Sequence, residues 1–466
     1  MLALAGTVLF AVSTWRHWAQ HSTAFDLGVY DQVLYLMSRG ESPISSFLGF
    51  HILGDHVAVA VYPLAILYAV YPTVLWLFAV QAACLAAGVW LTWRMARAYD
   101  VPDNMAQALA VAYVMHPVVY NLNLFDFHPD VLALPGFLAV LIAAKENRTA
   151  LFVASTLWIL ACKAPFSLTV VALGAWLLIF ERKRRLGAFA TIAGSAWFLT
   201  TTQLVIPRLS GGEALGVSRF AYLGDSVFSV MAGVALHPGR VLDQVVSVPT
   251  IGYLFLLAIV FVCWVSPRNL IVLLPAVPTV LMNVLGVDPQ QRTLGYQYSL
   301  PVLPFLLLAV ARSLSSSDRT LDTVLVGSIS QGRASGWRES PWRPRVLIVW
   351  ATLMLAWLGR WSGTAEQLSR PVTWEAVREG VAQLPDGASV LTDNRLAPQL
   401  THRVEVYLVA EELPWEPPDV DYALLDLTEP WSDSREVAEH IAEALTEDDR
   451  YELLSKNEGV HVFRRR

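Results

Sequence analysis

Apolar residues come in long, nearly charge-free runs up to Ala311, separated by short polar joints. A membrane span needs about 20 mostly apolar residues, with roughly 17 as the usual lower limit. Runs of this kind, several of them short, cover Met1–Trp15, Val74–Met95, Asn104–Tyr120, Val131–Ala144, Thr149–Cys162, Pro165–Phe180 and Leu186–Ile206. Four more follow at Thr250–Ser266, Asn269–Leu285, Tyr298–Ala311 and Val346–Trp361, about eleven in all. The first starts at Met1 without the Lys/Arg-rich segment of a secretory signal, so it reads as an uncleaved span. Val57–Tyr71 is apolar but short, with Pro63 inside and Pro72 after it, and reads as an interfacial or re-entrant helix.

From Glu366 the pattern becomes that of a soluble protein. Trp374–Leu384 has helical spacing and stops at the turn Pro385-Asp386-Gly387. Ser389–Leu391, Val404–Val409, Tyr422–Leu425 and Val460–Phe463 predict short strands, and Ser434–Leu445 a second helix. The expected layout is mainly α: a polytopic helical bundle over residues 1–361, with an outer loop at 16–56. A Ser-, Gly- and Arg-rich cytoplasmic linker is expected at 313–345, and a small α/β domain at 366–466.

Composition agrees with a membrane body. Of 466 residues, 55% are hydrophobic and only 15% charged, against about 25% charged in a typical soluble domain. The net charge is −6. This excludes an ordinary soluble enzyme, a disordered chain and a nucleic-acid binder with a broad basic face. Cys84, Cys162 and Cys263 all lie in apolar runs and form neither a disulfide framework nor a metal-ligand spacing.

Charge also orients the chain. With the N-terminus inside, the inner loops hold most of the cations, including the Arg182–Arg185 cluster, while the longer outer loops hold fewer. The Arg16–His56 loop and the C-terminal domain then lie outside, in a multi-pass protein of the plasma membrane.

Candidate chemistry collects at the outer ends of spans. Phe25-Asp26-Leu27-Gly28-Val29-Tyr30-Asp31-Gln32 puts two acids just past the first span, five apart and so not on one helical face. Asp26 is the stronger candidate, with Asp31-Gln32 starting a short helix over the membrane. His51, Asp55 and His56 can bind a metal or a phosphate, or cap an interfacial helix. Asp126, His128 and Asp130 are spaced i, i+2, i+4, and Pro129 disfavours helix at His128. An extended chain would project all three the same way, as an acidic or metal site. Lys163, between two spans, suits a phosphate as a point charge. Arg292 and Tyr296 suit a lipid phosphate or a sugar, though aromatics are common at membrane interfaces. Asp393, Asn394, Arg395 and His402 cluster in a polar stretch that also reads as a solvated loop.

The runs FDLGVYDQ from Phe25, GDH from Gly54, NLFDFHPDVLALP from Asn123 and VLTDNRLAPQLTHRVEVYL from Val390 resemble the DUF2079 family of predicted bacterial and archaeal membrane proteins. The resemblance covers most of the chain. The layout is similar to the GT-C superfamily of integral-membrane glycosyltransferases, which take a sugar from a polyprenyl-phosphate carrier. By that resemblance Asp26 matches the catalytic base or metal-site carboxylate, and Asp126 the acid of the next outer loop. Relatives tend to carry acids directly after the lysine matching Lys163; here the run is Lys163-Ala164-Pro165.

The resemblance implies an inverting transfer from a polyprenyl-phosphate-linked sugar to an extracytoplasmic lipid, glycan or protein. A carboxylate deprotonates the acceptor hydroxyl, and Lys163, Arg292 or a divalent cation such as Mg or Mn stabilises the leaving phosphate. A transporter or flippase for a lipid-linked or small polar solute, and a non-catalytic scaffold, are the alternatives. Few charges fall in mid-span, which favours surface chemistry over translocation.

Overall fold

The computed structural model describes residues 1–315, 340–409, 419–428 and 432–466. Helices carry the membrane body, and their lengths follow the prolines. They are α1 (Leu2–Trp18), α2 (Val29–Ser38), α3 (Ala65–Val70), α4 (Leu75–Ala98), α5 (Asp103–Val114), α6 (Pro117–Asn123), α7 (Asp130–Glu146), α8 (Thr149–Cys162), α9 (Phe166–Ile179) and α10 (Arg184–Thr200). Then come α11 (Ile206–Ser210), α12 (Val227–Leu236), α13 (Pro238–Val245), α14 (Val248–Ile259), α15 (Val277–Leu285), α16 (Leu303–Leu314), α17 (Trp342–Leu358) and α18 (Trp361–Leu368).

Among the described residues, four helical stretches are long and apolar enough to cross a bilayer: Leu75–Ala98, Arg184–Ser210, Pro267–Leu285 and Gln297–Leu314. A fifth arises if α13 and α14, bent by 54° to each other, count as one span. Several of the other expected spans are shorter helices. Asn104–Tyr120 divides at Pro117, where His116 caps α6 by accepting the Val118 N–H at 3.2 Å. Pro267–Ala276, with Pro275 inside it, is a 3₁₀ helix that leads into α15, because a proline ring blocks the regular i→i−4 bond. Pro63 has the same effect on Val57–Tyr71, which is a 3₁₀ turn (Val59–Leu64) followed by the single-turn α3.

Close helix contacts use small residues. A Cβ on Gly174 of α9 would sit 2.6 Å from the Thr191 nitrogen and 2.7 Å from the Gly187 oxygen of α10. The two backbones therefore approach closely at Gly174, with only the Thr191 hydroxyl beside them. The expected 313–345 linker is helical at both ends, in α16 and α17, and its residues 316–339 lie outside the described ones.

The C-terminal part holds β3 (Val390–Thr392), β4 (Val406–Leu408), β5 (Tyr422–Asp426), β6 (Tyr451–Asn457) and β7 (Val460–Arg465), after a two-residue pair, β1 (Ile44–Ser45) and β2 (Phe50–His51), in the first loop. The strand order is β4-β3-β5-β7-β6, with β3 parallel to β4 and β5, and β7 antiparallel to β5 and β6. Alternation sorts the faces. Val390 and Leu424 pack with Ala376 and Val377 of α19 (Trp374–Ala382). Leu391, Ala423 and Leu425 pack with Val437, Ile441 and Leu445 of α20 (Ser432–Glu447). Sequence pattern alone misses β6, because it is an edge strand whose residues are mostly exposed and do not alternate.

Candidate active site

Two loops meet beside the end of α1. The first is Thr23–Gly28, a single π-type turn before α2. The second is Leu124–Pro129, between α6 and α7. One of their contacts is the pair Asp26–His128, with Oδ1 to Nε2 at 2.7 Å. His128 Nδ1 lies 3.0 Å from the Asp126 backbone oxygen. A carbonyl only accepts, so Nδ1 carries a proton. Nε2 and the Asp26 carboxylate then share one further proton. Burial by itself raises Asp26 and lowers His128. The facing charges and their hydrogen bond outweigh it: Asp26 falls below its usual range, helped by Lys163 and His56, and His128 rises above its own. Both shifts favour the form in which an imidazolium holds a carboxylate. The Asp26 side chain keeps 29% of its surface open, while His128 is nearly closed off.

Asp126 takes a different part from the one expected of a second catalytic acid. Its carboxylate has no exposed surface. Oδ1 accepts from Arg16 Nη1 at 2.6 Å, and Oδ2 from the Thr23 N–H and hydroxyl, each at 2.8 Å. Arg16 also donates to the His21 carbonyl. Asp126 thus ties the end of α1 to both loops, and its backbone carbonyl orients His128.

The expected triad of Asp126, His128 and Asp130 does not converge. Pro129 is the cap of α7 and Asp130 its first residue, so the extended alternation ends at His128. Each side chain takes a separate partner: Arg16, Asp26 and Lys163. Among the described residues no group of three or more His, Cys, Asp or Glu is gathered around a metal position. Lys163 lies not on the surface but nearly buried at the end of α8, with Nζ 2.9 Å from Asp130 Oδ2. That leaves two of its three N–H bonds for a ligand.

The GDH turn closes the other side. His56 Nδ1 lies 3.2 Å from Asp55, and the His56 carbonyl accepts the Ala164 N–H at 2.8 Å. A Cβ on Gly54 would meet the Ser210 nitrogen at 2.9 Å, so α11 passes where only glycine leaves room. Val57 follows at φ 52°, a conformation that β-branched residues avoid and that strains the turn. Desolvation raises the Asp55 pKa to about 6, against the pull of Lys163 and with the push of Asp26. Burial and then Lys163 lower that of His56. His51 stands apart: its ring caps the next turn by accepting the Leu53 N–H at 3.2 Å.

Aromatic rings line the pair. Phe125 stacks on His128 at 5.2 Å, and Tyr296 meets Phe125 edge-on at 4.9 Å. Arg292 points elsewhere, to Gln244 at 3.3 Å. Sequence reading passed over Arg219, which lies over Tyr298 at 5.4 Å; Tyr298 is within electrostatic reach of Lys163 and Asp26. It also passed over Arg16 as a site residue. The signal for Arg16 was present, since a cation ending an apolar run is as informative as an acid there.

The second half of FDLGVYDQ faces the C-terminal sheet. Asp31 is buried and accepts from Tyr68 at 2.5 Å and from the Thr401 hydroxyl, with His402 at 3.4 Å. Gln32 Nε2 donates to the Arg403 and Val404 carbonyls, both at 3.2 Å. Asn394 Oδ1 accepts the Ala24 N–H at 2.9 Å. Asp393 is buried too, and accepts the Arg395, Leu396 and Asp426 N–H groups at 3.0–3.2 Å. The polar run near Asp393 is therefore a docking face and not a solvated loop.

These contacts join the runs FDLGVYDQ, GDH, FDFHPD and TDNRLAPQLTHR into one region, and a family model for a predicted membrane protein matches residues 16–462. The chain belongs to the DUF2079 family. No curated protein sequence matches it. Its fold is similar to that of ArnT from Cupriavidus metallidurans, solved bound to undecaprenyl phosphate. That likeness has a TM-score of 0.57 at 12% identity and covers 99% of this chain and 97% of the other. The apo form of the same ArnT gives 0.52 at 13% identity, over 99% and 98%. The DUF2079 chain is thus a mainly helical membrane protein of ArnT-like fold.

Proposed function

We propose that this DUF2079 protein transfers a sugar from a polyprenyl-phosphate donor to a hydroxyl acceptor at the outer face of the plasma membrane. The observation that carries the reading is the 2.7 Å Asp26–His128 hydrogen bond, made by the two most distinctive motifs of the chain. The fold similarity to ArnT bound to undecaprenyl phosphate supports the donor class. The cation excess of the proposed inner loops supports an outward site and an outward C-terminal region.

In this mechanism Asp26 takes the proton of the acceptor hydroxyl. The freed oxygen forms a bond to the anomeric carbon as the bond from that carbon to the phosphate oxygen breaks. The polyprenyl phosphate leaves with one more negative charge, and the proton on Asp26 passes to water. His128 holds Asp26 ionised and aimed, and Lys163 and Arg219 offset the charge of the leaving phosphate. Residues of the site fit a divalent cation poorly as a three-ligand centre, since Asp126 and Asp130 are already paired with cations. No step is assigned to one.

The test is transfer from a polyprenyl-phosphate sugar by the purified protein. Asp26→Asn keeps the side-chain volume and removes the base, so turnover falls by about 10²–10⁴-fold. Unchanged turnover per folded Asp26→Asn molecule removes the central residue of the reading.

A further inference from the structure

The GDH turn carries a carboxylate that the transfer mechanism leaves unused. Asp26, Asp31, Asp126 and Asp130 each pair with a side chain: His128, Tyr68, Arg16 and Lys163 in turn. Among the described residues the Asp55 carboxylate accepts no hydrogen bond. His56 Nδ1, 3.2 Å away, belongs to a ring that burial and Lys163 keep neutral, so no ion pair forms there. Of the Asp55 side chain 15% stays open, and neither oxygen is sealed from solvent. The backbone around it is strained: Gly54 leaves no room for a Cβ beside Ser210, and Val57 holds φ 52°. The His56 carbonyl ties the turn to Ala164, next to Lys163. A strained turn that holds a desolvated carboxylate without a donor is found where a ligand supplies the donor.

Tyr30 is the counterpart of Asp55. It lies four residues after Asp26, across the turn that runs into α2, and so shares a face with it. Phe127 meets its ring edge-on at 5.7 Å, and 4% of the residue is exposed. Among the described residues its hydroxyl has no hydrogen-bond partner, and it is not sealed off either. Burial, then Asp55, Asp130 and Asp26 in that order, raise its pKa well above 10, so it remains a donor. Asp55 is the charge that acts most strongly on it, although no hydrogen bond joins the two. A free donor and a free acceptor that face each other without touching are bridged by a group that both accepts and donates, which is a hydroxyl. A phosphate oxygen cannot donate, and the three carboxylates repel it. Of the charges acting on Asp55 itself, Lys163 is the strongest. The hydroxyl therefore belongs close to the phosphate end of the donor. We propose that Tyr30 and Asp55 hold the transferred sugar by the hydroxyl next to its anomeric carbon, Tyr30 donating to that oxygen and Asp55 accepting from its O–H. The proposal rests on the transfer reading and adds a sugar specificity to it. As the bond to the phosphate breaks, positive charge grows on the anomeric carbon, and a neighbouring hydroxyl bonded to a carboxylate offsets it. The contact strengthens in the transition state and so acts on kcat more than on KM.

The test compares polyprenyl-phosphate glucose and mannose with polyprenyl-phosphate 2-deoxyglucose, which lacks that hydroxyl. The full chain in detergent is used with cell-envelope extract as acceptor, and release of polyprenyl phosphate is read. The wild type uses glucose or mannose and loses about 10–10²-fold in kcat with the deoxy donor, the range for a hydrogen bond to a charged group. Asp55→Asn loses a similar factor with the hydroxylated donor and most of its preference for it. Tyr30→Phe loses about 2–10-fold, as for a neutral hydrogen bond. Neither substitution lowers thermal stability, because neither polar group has a partner in the folded chain. A deoxy penalty as large in Asp55→Asn as in the wild type overturns the proposal. So does a lowered thermal stability of Asp55→Asn, which marks a structural role. In both cases loss of transfer in Asp26→Asn leaves the transfer reading standing. No transfer by the wild type from any of these donors, or full transfer by Asp26→Asn, removes that reading and this proposal with it.

Discussion

Asp126→Asn is expected to unfold the protein more readily and not to remove a catalytic acid. The Asp126 carboxylate accepts one charge-assisted bond at 2.6 Å from Arg16 and two at 2.8 Å from Thr23, with no exposed surface. An asparagine has one oxygen to offer. If it faces Arg16, its NH₂ confronts the Thr23 N–H; if it faces Thr23, the NH₂ confronts a guanidinium. Either way Arg16, itself buried, loses its counter-charge. Breaking a buried pair from one side costs about 3–5 kcal/mol, whereas replacing both partners with apolar residues is often close to neutral. Thermal unfolding of Asp126→Asn, Arg16→Met and the Arg16→Met/Asp126→Leu double variant gives the coupling directly. The single variants should lose most of that amount, and the double variant should recover a large part of it. Turnover per folded molecule should fall only as far as His128 is disordered. A variant that keeps full stability and loses turnover would refute the positioning role and return Asp126 to chemistry.

Four further outcomes follow from the same contacts. In Asp26→Asn the His128 pKa falls, because the charge that raises it is gone; imidazole NMR titration reads the shift, and an unmoved value contradicts the ion pair. Lys163→Ala leaves Asp130 buried and unpaired, so it lowers stability by about 3–5 kcal/mol in addition to any effect on donor use, whereas Arg292→Ala, whose guanidinium is engaged with Gln244, leaves donor KM unchanged. The Asp31–His402 contact is pH-dependent: burial lowers His402, but Asp31 raises it further, to a net value above 6.5. Its stabilisation is therefore complete below that value and is lost as pH rises through the folded pKa, while the Asp31 share, with a lowered pKa, is lost as pH falls below 3.8. His402→Gln should flatten the alkaline side of the stability profile. For topology, a cysteine at Val372, which is 89% exposed, should react with an impermeant thiol reagent in intact cells once Cys84, Cys162 and Cys263 are replaced; protection there contradicts the outward C-terminal region.

Much of this protein is legible in its sequence because membrane burial is a property of composition. Runs without charge announce a helical bundle, prolines mark where its helices break, and the short continuous apolar runs at Val390–Thr392 and Tyr422–Asp426 mark strands covered on both faces. The motifs also single out Asp26, His128, Asp130 and Lys163 as residues that need partners, since an ionisable group at a span end must be paired or used. Which partner each one takes is decided only in three dimensions. Asp26 and His128 lie 128 − 26 = 102 positions apart, and Asp31 meets His402 across 402 − 31 = 371. Spacing of i, i+2, i+4 predicts a shared face only while the chain stays extended, and the helix that starts at Asp130 turns that residue toward Lys163 instead. Asp126 illustrates the limit: the sequence marks it as a charged residue at the membrane edge, but only the folded chain brings Arg16 against it and makes it an anchor. Long-range pairing of this kind leaves no local periodicity, because the loops that carry it are held by the bundle and not by their own conformational preference.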